Sequence, residues 1–252
     1  MAPASAPASP PAHSDVPLAL WPCAQPDPHQ PTTPDAARAL LPAQLARRIV
    51  TEYTKPGALL IGPACPTLLR EVARLGRRAV ALTCDPARAR QTSTMLDLTL
   101  PAQYLQRTHV CRGSLTDPAT VADLAGQAHA LVTVNLDGHA HPAATVDPSS
   151  LAACAALLRP GGLLITVSRN QQHAGRLVDL AALTIRAAER AGLAYLQHIV
   201  ALLVPVQAGQ LWPRITGWQR RTVRVRLARG ERAQLAVHAD VLVFATPEAA
   251  DA

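Results

Sequence analysis

The sequence predicts a single α/β domain built on a doubly wound, mostly parallel sheet with helices on both faces. Two observations carry that expectation. Short apolar runs of the kind that form buried strands alternate with helical, one-faced apolar stretches from about residue 41 to 244. Each strand-to-strand connection is also long enough to hold a crossover helix, as parallel pairing requires. Ligands of such sheets bind at the carboxyl ends of the strands, near the point where strand order reverses. Function is therefore to be sought in the loops after Ile61, Leu82, Cys111 and Val134.

The elements read in order as follows. Residues 1–34 hold ten prolines among Ala, Ser, Asp and His, the composition of a flexible tail, although Leu18 to Trp21 offers a short apolar piece able to dock. Leu45, Ala46, Ile49, Val50 and Tyr53 recur on one face of a helix that starts near Pro42 and ends at Lys55-Pro56-Gly57. Ala58 to Ile61 reads as a strand, and Leu68, Leu69, Val72 and Leu75 as the next helix, stopped by Gly76. Ala79 to Leu82 is a second strand and a helix follows Pro86. Further strands are expected at His109 to Cys111, Ala130 to Val134 and Leu163 to Val167. Asp117 to Leu124 and Ser149 to Leu158 read as helices, and Pro160-Gly161-Gly162 as the turn into the fifth strand. Leu177, Leu180, Ala181, Thr184 and Ala188 predict a long amphipathic helix closed by Gly192. The β runs Tyr195 to Val204 and Val241 to Phe244 complete the pattern. The division is a tail (1–34), one domain (35–247) with an arginine-rich insertion (206–237), and a short end (248–252).

No apolar run reaches the length of a membrane span, and no basic and apolar leader opens the chain. Cys23, Cys65, Cys84, Cys111 and Cys154 are odd in number and unpaired in spacing, which argues against a disulfide framework or zinc ribbon and for a reducing cytoplasm. The formal charge is +7, and Lys55 is the only lysine. Arginine reads phosphates and bases well because its planar fork makes paired hydrogen bonds. A bias towards GC-rich codons produces the same Ala, Arg and Pro excess, so net charge adds little by itself.

Three stretches carry a family resemblance. They are Leu45 to Val80, with Leu75-Gly76-Arg77-Arg78-Ala79-Val80 at its end; Leu158-Arg159-Pro160-Gly161-Gly162-Leu163-Leu164; and Tyr195 to His198 with His238 to Phe244. Over about four fifths of its length the chain resembles the DNA N4-cytosine and N6-adenine methyltransferases and the related tRNA guanine-N2 methyltransferase-like proteins. The resemblance implies a class I S-adenosylmethionine-dependent methyltransferase fold, Rossmann-like, with a seven-stranded sheet. It also implies S-adenosylmethionine as cofactor and an exocyclic amino group of DNA or tRNA as acceptor.

Four family motifs depart from their pattern here. The cofactor loop, Asp-Pro-x-x-Gly-x-Gly-Thr in the family, is represented by Gly62-Pro63-Ala64-Cys65-Pro66-Thr67. Gly62 stands for the acid and Pro66 for the first glycine, which removes a backbone donor. By resemblance Gly62, Pro63, Ala64, Cys65 and Thr67 meet the cofactor; a short stiff turn is the alternative. The ribose-binding acid is replaced by Thr83, with Asp85 two residues on, equally readable as an N-cap before Pro86. The adenine-binding acid is replaced by Ser114. The acceptor motif, a polar residue followed by Pro-Pro and an aromatic, is represented by Asn135-Leu136-Asp137-Gly138. Asn135 and Asp137 are the candidate catalytic pair; a polar turn is the simpler account.

Two other groups remain. Asp137, His139 and His141 alternate as metal ligands can, but a further ligand is needed, and a solvated loop is expected, with no metal. The insertion carries Trp212, Arg214, Trp218, Arg220, Arg221, Arg224, Arg226, Arg229 and Arg232. Interleaved aromatics and arginines suit phosphate contact and base stacking, so Arg214, Trp218, Arg220, Arg221 and Arg224 are candidate nucleic-acid contacts. Val223, Val225 and Leu227 alternating with Arg224 and Arg226 also fit an amphipathic edge strand. The expected function is an S-adenosylmethionine-dependent methyltransferase-like protein acting on a base amine of nucleic acid, with impaired catalysis. The rival is a non-catalytic module of the same fold that binds nucleic acid or protein.

Overall fold

The computed structural model describes residues 16–24, 41–115, 117–135, 148–173, 176–212, 217–230 and 237–248. Eight strands form one sheet in the order β4-β3-β2-β5-β6-β12-β9-β1. They are β1 (Leu18–Pro22), β2 (Leu59–Pro63), β3 (Arg78–Thr83), β4 (Thr108–Arg112), β5 (Ala128–Asn135), β6 (Leu158–Ser168), β9 (Ala194–Leu202) and β12 (His238–Ala245). Only β12 runs antiparallel to its neighbours. The short pairs β7 (Gln171–His173) with β8 (Arg176–Val178), and β10 (Val206–Gln207) with β11 (Gln210–Leu211), stand apart from the sheet. Strand order reverses between β2 and β5, so the switch point lies where the sequence placed it.

Helices α1 (Ala43–Tyr53), α2 (Pro66–Arg74) and α3 (Pro86–Thr99) precede α4 (Ala102–Leu105) and α5 (Pro118–Leu124). Then come α6 (Pro148–Leu157), α7 (Leu180–Arg190) and α8 (Gly217–Ala228). Two apolar clusters flank the sheet. One gathers Leu45, Ile49, Val50, Leu68, Leu69 and Val72 of α1 and α2 against Leu60, Ala81, Val132 and Ile165. The other sets Leu151, Leu157, Ala181 and Ala188 of α6 and α7 against Ile61, Leu131, Leu164, Leu242 and Phe244. This is the alternation of strand side chains that a two-faced core demands. A buried arginine ties α1 to the sheet: Arg77 donates from Nε to Thr54 Oγ1 at 3.1 Å and from a terminal nitrogen to the Thr54 carbonyl at 2.7 Å.

Four expectations are corrected. The sheet has eight strands, not seven, because Leu18–Pro22, assigned to the flexible tail, pairs in parallel with β9 from Leu18↔His198 to Pro22↔Leu202. Trp21 is buried, 6.0 Å from the Tyr53 ring and under the Arg48 guanidinium, so its burial adds to the pairing with β9 against the entropy of ordering this piece. The 223–227 segment is helical, not an edge strand; β1 already occupies the edge beside β9. Helix α7 begins at Leu180 rather than Leu177, because the Asp179 carboxylate caps it, accepting from the Ala182 amide at 3.0 Å. Pro160-Gly161-Gly162 lies within β6, as a kink with a register shift opposite Ala128 and Ala130. A Cβ on Gly162 would sit 2.8 Å from the Arg159 carbonyl, so only glycine fits there.

Candidate functional site

The carboxyl ends of β2, β3, β4 and β5 bring together Gly62 to Cys65, Thr83, Ser114 and Asn135, as expected from the sequence. Asp137, like His139 and His141, lies outside the described residues, as does Arg214.

The β2–α2 connection is two residues long, Ala64 and Cys65, and both are buried. The Cys65 amide donates to the Pro63 carbonyl at 2.7 Å, making a tight turn. Pro66 then occupies the first position of α2. The next amides, of Thr67 and Leu68, lie against the Cys65 thiol, short of a well-formed cap. Burial pushes that thiol's pKa up, against the lowering influence of those two amides and of Arg88. Opposite, Thr92 of α3, also buried, donates its hydroxyl to the Ala64 carbonyl at 3.3 Å. Gly62 is enclosed: a Cβ there would stand 3.1 Å from Leu68 Cδ2 and 3.6 Å from the Val132 carbonyl. The turn is therefore tight and buried, with its Ala64 carbonyl held by the Thr92 hydroxyl. Pro66, which brings no amide, and the enclosure of Gly62 reduce the donors and the room for close approach that the aminoacyl end of S-adenosylmethionine uses.

The neighbouring loop has a different character. Asp85 is exposed and caps α3, accepting from the Ala87 amide at 2.8 Å, with Pro86 at the first helical position. Its own amide donates to Thr83 Oγ1 at 3.2 Å. Ser114 is half-buried in the turn closed by the Asp117 amide on the Ser114 carbonyl. Asp117 caps α5 through the amides of Ala119 and Thr120 and the Thr120 hydroxyl, and the hydroxyl above all holds its carboxyl below the usual range. A carboxylate and two hydroxyls thus edge β3 and β4, a set whose chemistry fits the hydroxyls and amine of a nucleoside.

Asn135, the last residue of β5, is in register with Ser168 of β6, and Thr133 with Thr166. Ser168 in turn lies opposite Asp240 of β12. Asp240, Thr166 and Ser168 are all buried, and His198 Nε2 is 3.0 Å from Asp240 Oδ1. Reading by motif misses this row, because its members come from four strands and match no spaced pattern. The signal in the sequence was polar residues at inward positions of otherwise apolar strands, such as Asp240 before Val241 to Phe244.

Helix α8 carries Arg220, Arg221 and Arg224 exposed, with no acid in its first turn. Their spacing sets them on one stripe of the helix surface. Trp218 is on the same helix. Among the described residues no helix is long and apolar enough to cross a membrane.

No protein-family model matches the chain, and no curated protein matches it in sequence. Solved structures do match. The [4+2]-cyclase SpnF superposes with a TM-score of 0.59 at 14% identity, covering 92% of this chain and 90% of its own. Geranyl diphosphate C-methyltransferase from Streptomyces coelicolor A3(2), solved with S-adenosyl-L-homocysteine, gives 0.56 at 12% identity, covering 90% of each chain. A geranyl diphosphate methyltransferase complex with sinefungin gives 0.54 at 13%, covering 81% of this chain and 79% of that one. At such identities the likeness reaches the fold and no further. The strand order with its single antiparallel member, the switch point and these superpositions agree: the chain has the class I S-adenosylmethionine-dependent methyltransferase fold.

Proposed function

We propose that the chain is an S-adenosylmethionine-dependent methyltransferase-like protein that acts on nucleic acid, with catalysis impaired. The observation that carries the reading is the contrast at the switch point. Thr83, Asp85 and Ser114 keep a nucleoside-compatible edge, while the β2–α2 turn is tight, buried and held by Thr92. The cofactor, when bound, supplies an electrophilic methyl group. Asp85 is the group suited to the ribose diol, and Ser114 to the adenine amine. Asn135 and Asp137 are assigned to the acceptor amine by resemblance to the family. The exposed arginine stripe of α8 suits a phosphate backbone, DNA or tRNA, in keeping with the family's substrate class.

Calorimetric titration with S-adenosylmethionine, S-adenosylhomocysteine and adenosine tests this reading. The expected result is weak binding in which S-adenosylhomocysteine gains nothing over adenosine, because its aminoacyl end finds no partner. A clear gain for S-adenosylhomocysteine means the turn opens and an intact cofactor site exists. No binding of any of the three at millimolar concentration removes the cofactor from the reading. The closed turn also favours a second reading, a non-catalytic nucleic-acid-binding module. Methyl incorporation into DNA or tRNA from labelled cofactor separates the two.

A further inference from the structure

A buried polar row interrupts the otherwise apolar α6–α7 face of the sheet. Thr166 and Ser168 follow Leu164 on the same face of β6, and Asp240 precedes Leu242 and Phe244 on the same face of β12. These three positions carry polar groups on an otherwise apolar face, and buried polar groups without partners are destabilising. The hydroxyls of Thr166 and Ser168 are shut off from solvent and have no hydrogen-bond partner among the described residues. Thr166 and Ser168 are each 6% exposed, and Asp240 5%. Beside them His198 is held through Nε2 by Asp240 Oδ1 at 3.0 Å, and its side chain remains 27% exposed. It forms the open end of the row. On the far side of His198, Leu18 and Leu20 of β1, at 71% and 62% exposure, supply apolar surface on the same face.

From this juxtaposition we infer that His198, Asp240, Ser168 and Thr166 form the receiving site for an amine-bearing planar base, entering past His198. The inference rests on the nucleic-acid reading above and names the residues that meet the acceptor. A carboxylate accepts from an amino group, and hydroxyls that lack partners can take its second proton or a neighbouring ring nitrogen. The imidazole and the leucines suit the face of a base. Asn135 stands in register with Ser168, at the end of the row nearest the switch point. This arrangement offers the acceptor a carboxylate and hydroxyls where the family's motif, with its prolines and aromatic, is missing.

The test follows the His198 imidazole by NMR during titration with cytidine against uridine and guanosine against inosine, pairs differing by an exocyclic amine. Cytidine and guanosine are expected to shift the His198 resonances and their partners not. Asp240→Asn and Ser168→Ala are each expected to weaken the response about tenfold, the loss of one hydrogen bond to a charged or buried group. His198→Asn, at the open end of the row, leaves the core undisturbed and removes the imidazole, so its cytidine affinity is read by calorimetry and is expected to fall. Equal shifts from amine and non-amine nucleosides, or none at millimolar concentration, overturn the inference. The cofactor titration reads independently. A His198 response with no binding of adenosine or S-adenosylhomocysteine removes the cofactor reading and leaves this site standing.

Discussion

The Thr92 hydroxyl of α3 donates to the Ala64 carbonyl at 3.3 Å, tying α3 to the β2–α2 turn beside buried Cys65. Both side chains are almost fully buried, at 1% exposure. Thr92→Val keeps the shape and removes the donor, leaving the Ala64 carbonyl without that partner. The expected cost is about 1 to 2 kcal/mol, read from urea unfolding. A neutral result means the bond contributes nothing to closing the turn.

Gly62 occupies the place of the family's acid, and restoring the acid is expected to fail. Gly62→Asp brings a Cβ to 3.1 Å from Leu68 Cδ2 and buries a carboxylate without an arranged partner. A loss of about 2 to 4 kcal/mol is expected, with no gain in S-adenosylhomocysteine affinity. Improved binding in Gly62→Asp would show that Leu68 yields and that the closed turn is easily remodelled.

Asp85 has two readings that one substitution separates. As the N-cap of α3 it accepts from the Ala87 amide at 2.8 Å, and Asn caps as well as Asp. Asp85→Asn is therefore expected to leave the melting temperature unchanged while weakening adenosine binding, since an amide grips a diol less well than a carboxylate. Asp85→Ala should cost about 1 kcal/mol of stability as well. Unchanged adenosine affinity in both variants confines Asp85 to capping.

The β-α order and the switch point were legible because they follow from local pattern, apolar periodicity and turn residues, and the cap at Asp85 was one of the two readings its place before Pro86 allowed. Leu18–Pro22 was not, since its ordering comes from β9 and from Tyr53 and Arg48, which are distant in sequence. At 223–227 the alternation of Val and Arg also fits a strand, the alternative that the structure sets aside: the segment is helical, and β1 holds the edge beside β9. At the site, the departures from the family motifs were visible residue by residue. Their physical result, a buried turn held by Thr92, was not, because residue 92 is brought there by the packing of α3. The His198–Asp240 pair joins two strands 42 residues apart, and only strand register reveals it.

Burial predicts an alkaline weakness. Burial pushes the Cys154 thiol up to about 12, and burial followed by the charge of Glu52 pushes the Tyr53 hydroxyl up to about 12. In the unfolded chain both groups lose their protons at lower pH, so between those values the unfolded state binds fewer protons and stability falls as pH rises. The contribution is fully present below pH about 8 and is lost from there towards pH 12, at up to about 1.4 kcal/mol per pH unit for buried Cys154. Cys154→Ala, though less stable at neutral pH, should show a shallower decline in denaturant midpoint between pH 8 and 10. Identical slopes in the two proteins exclude the thiol as the cause.

The arginine stripe of α8 gives a prediction with no stability component. Arg220, Arg221 and Arg224 are exposed, so replacing them with Ala leaves the core intact and the melting temperature within about 1 °C. If each meets one phosphate of a duplex, the triple variant binds more weakly at low salt, and the slope of log affinity against log salt becomes shallower by about 2.7. With single strands the change is about 2.1. The slope separates phosphate contact from a general charge effect, because a long-range field lowers affinity while releasing few counterions. Equal slopes for the parent and the triple variant would place the nucleic acid elsewhere on the molecule and detach α8 from the proposed function.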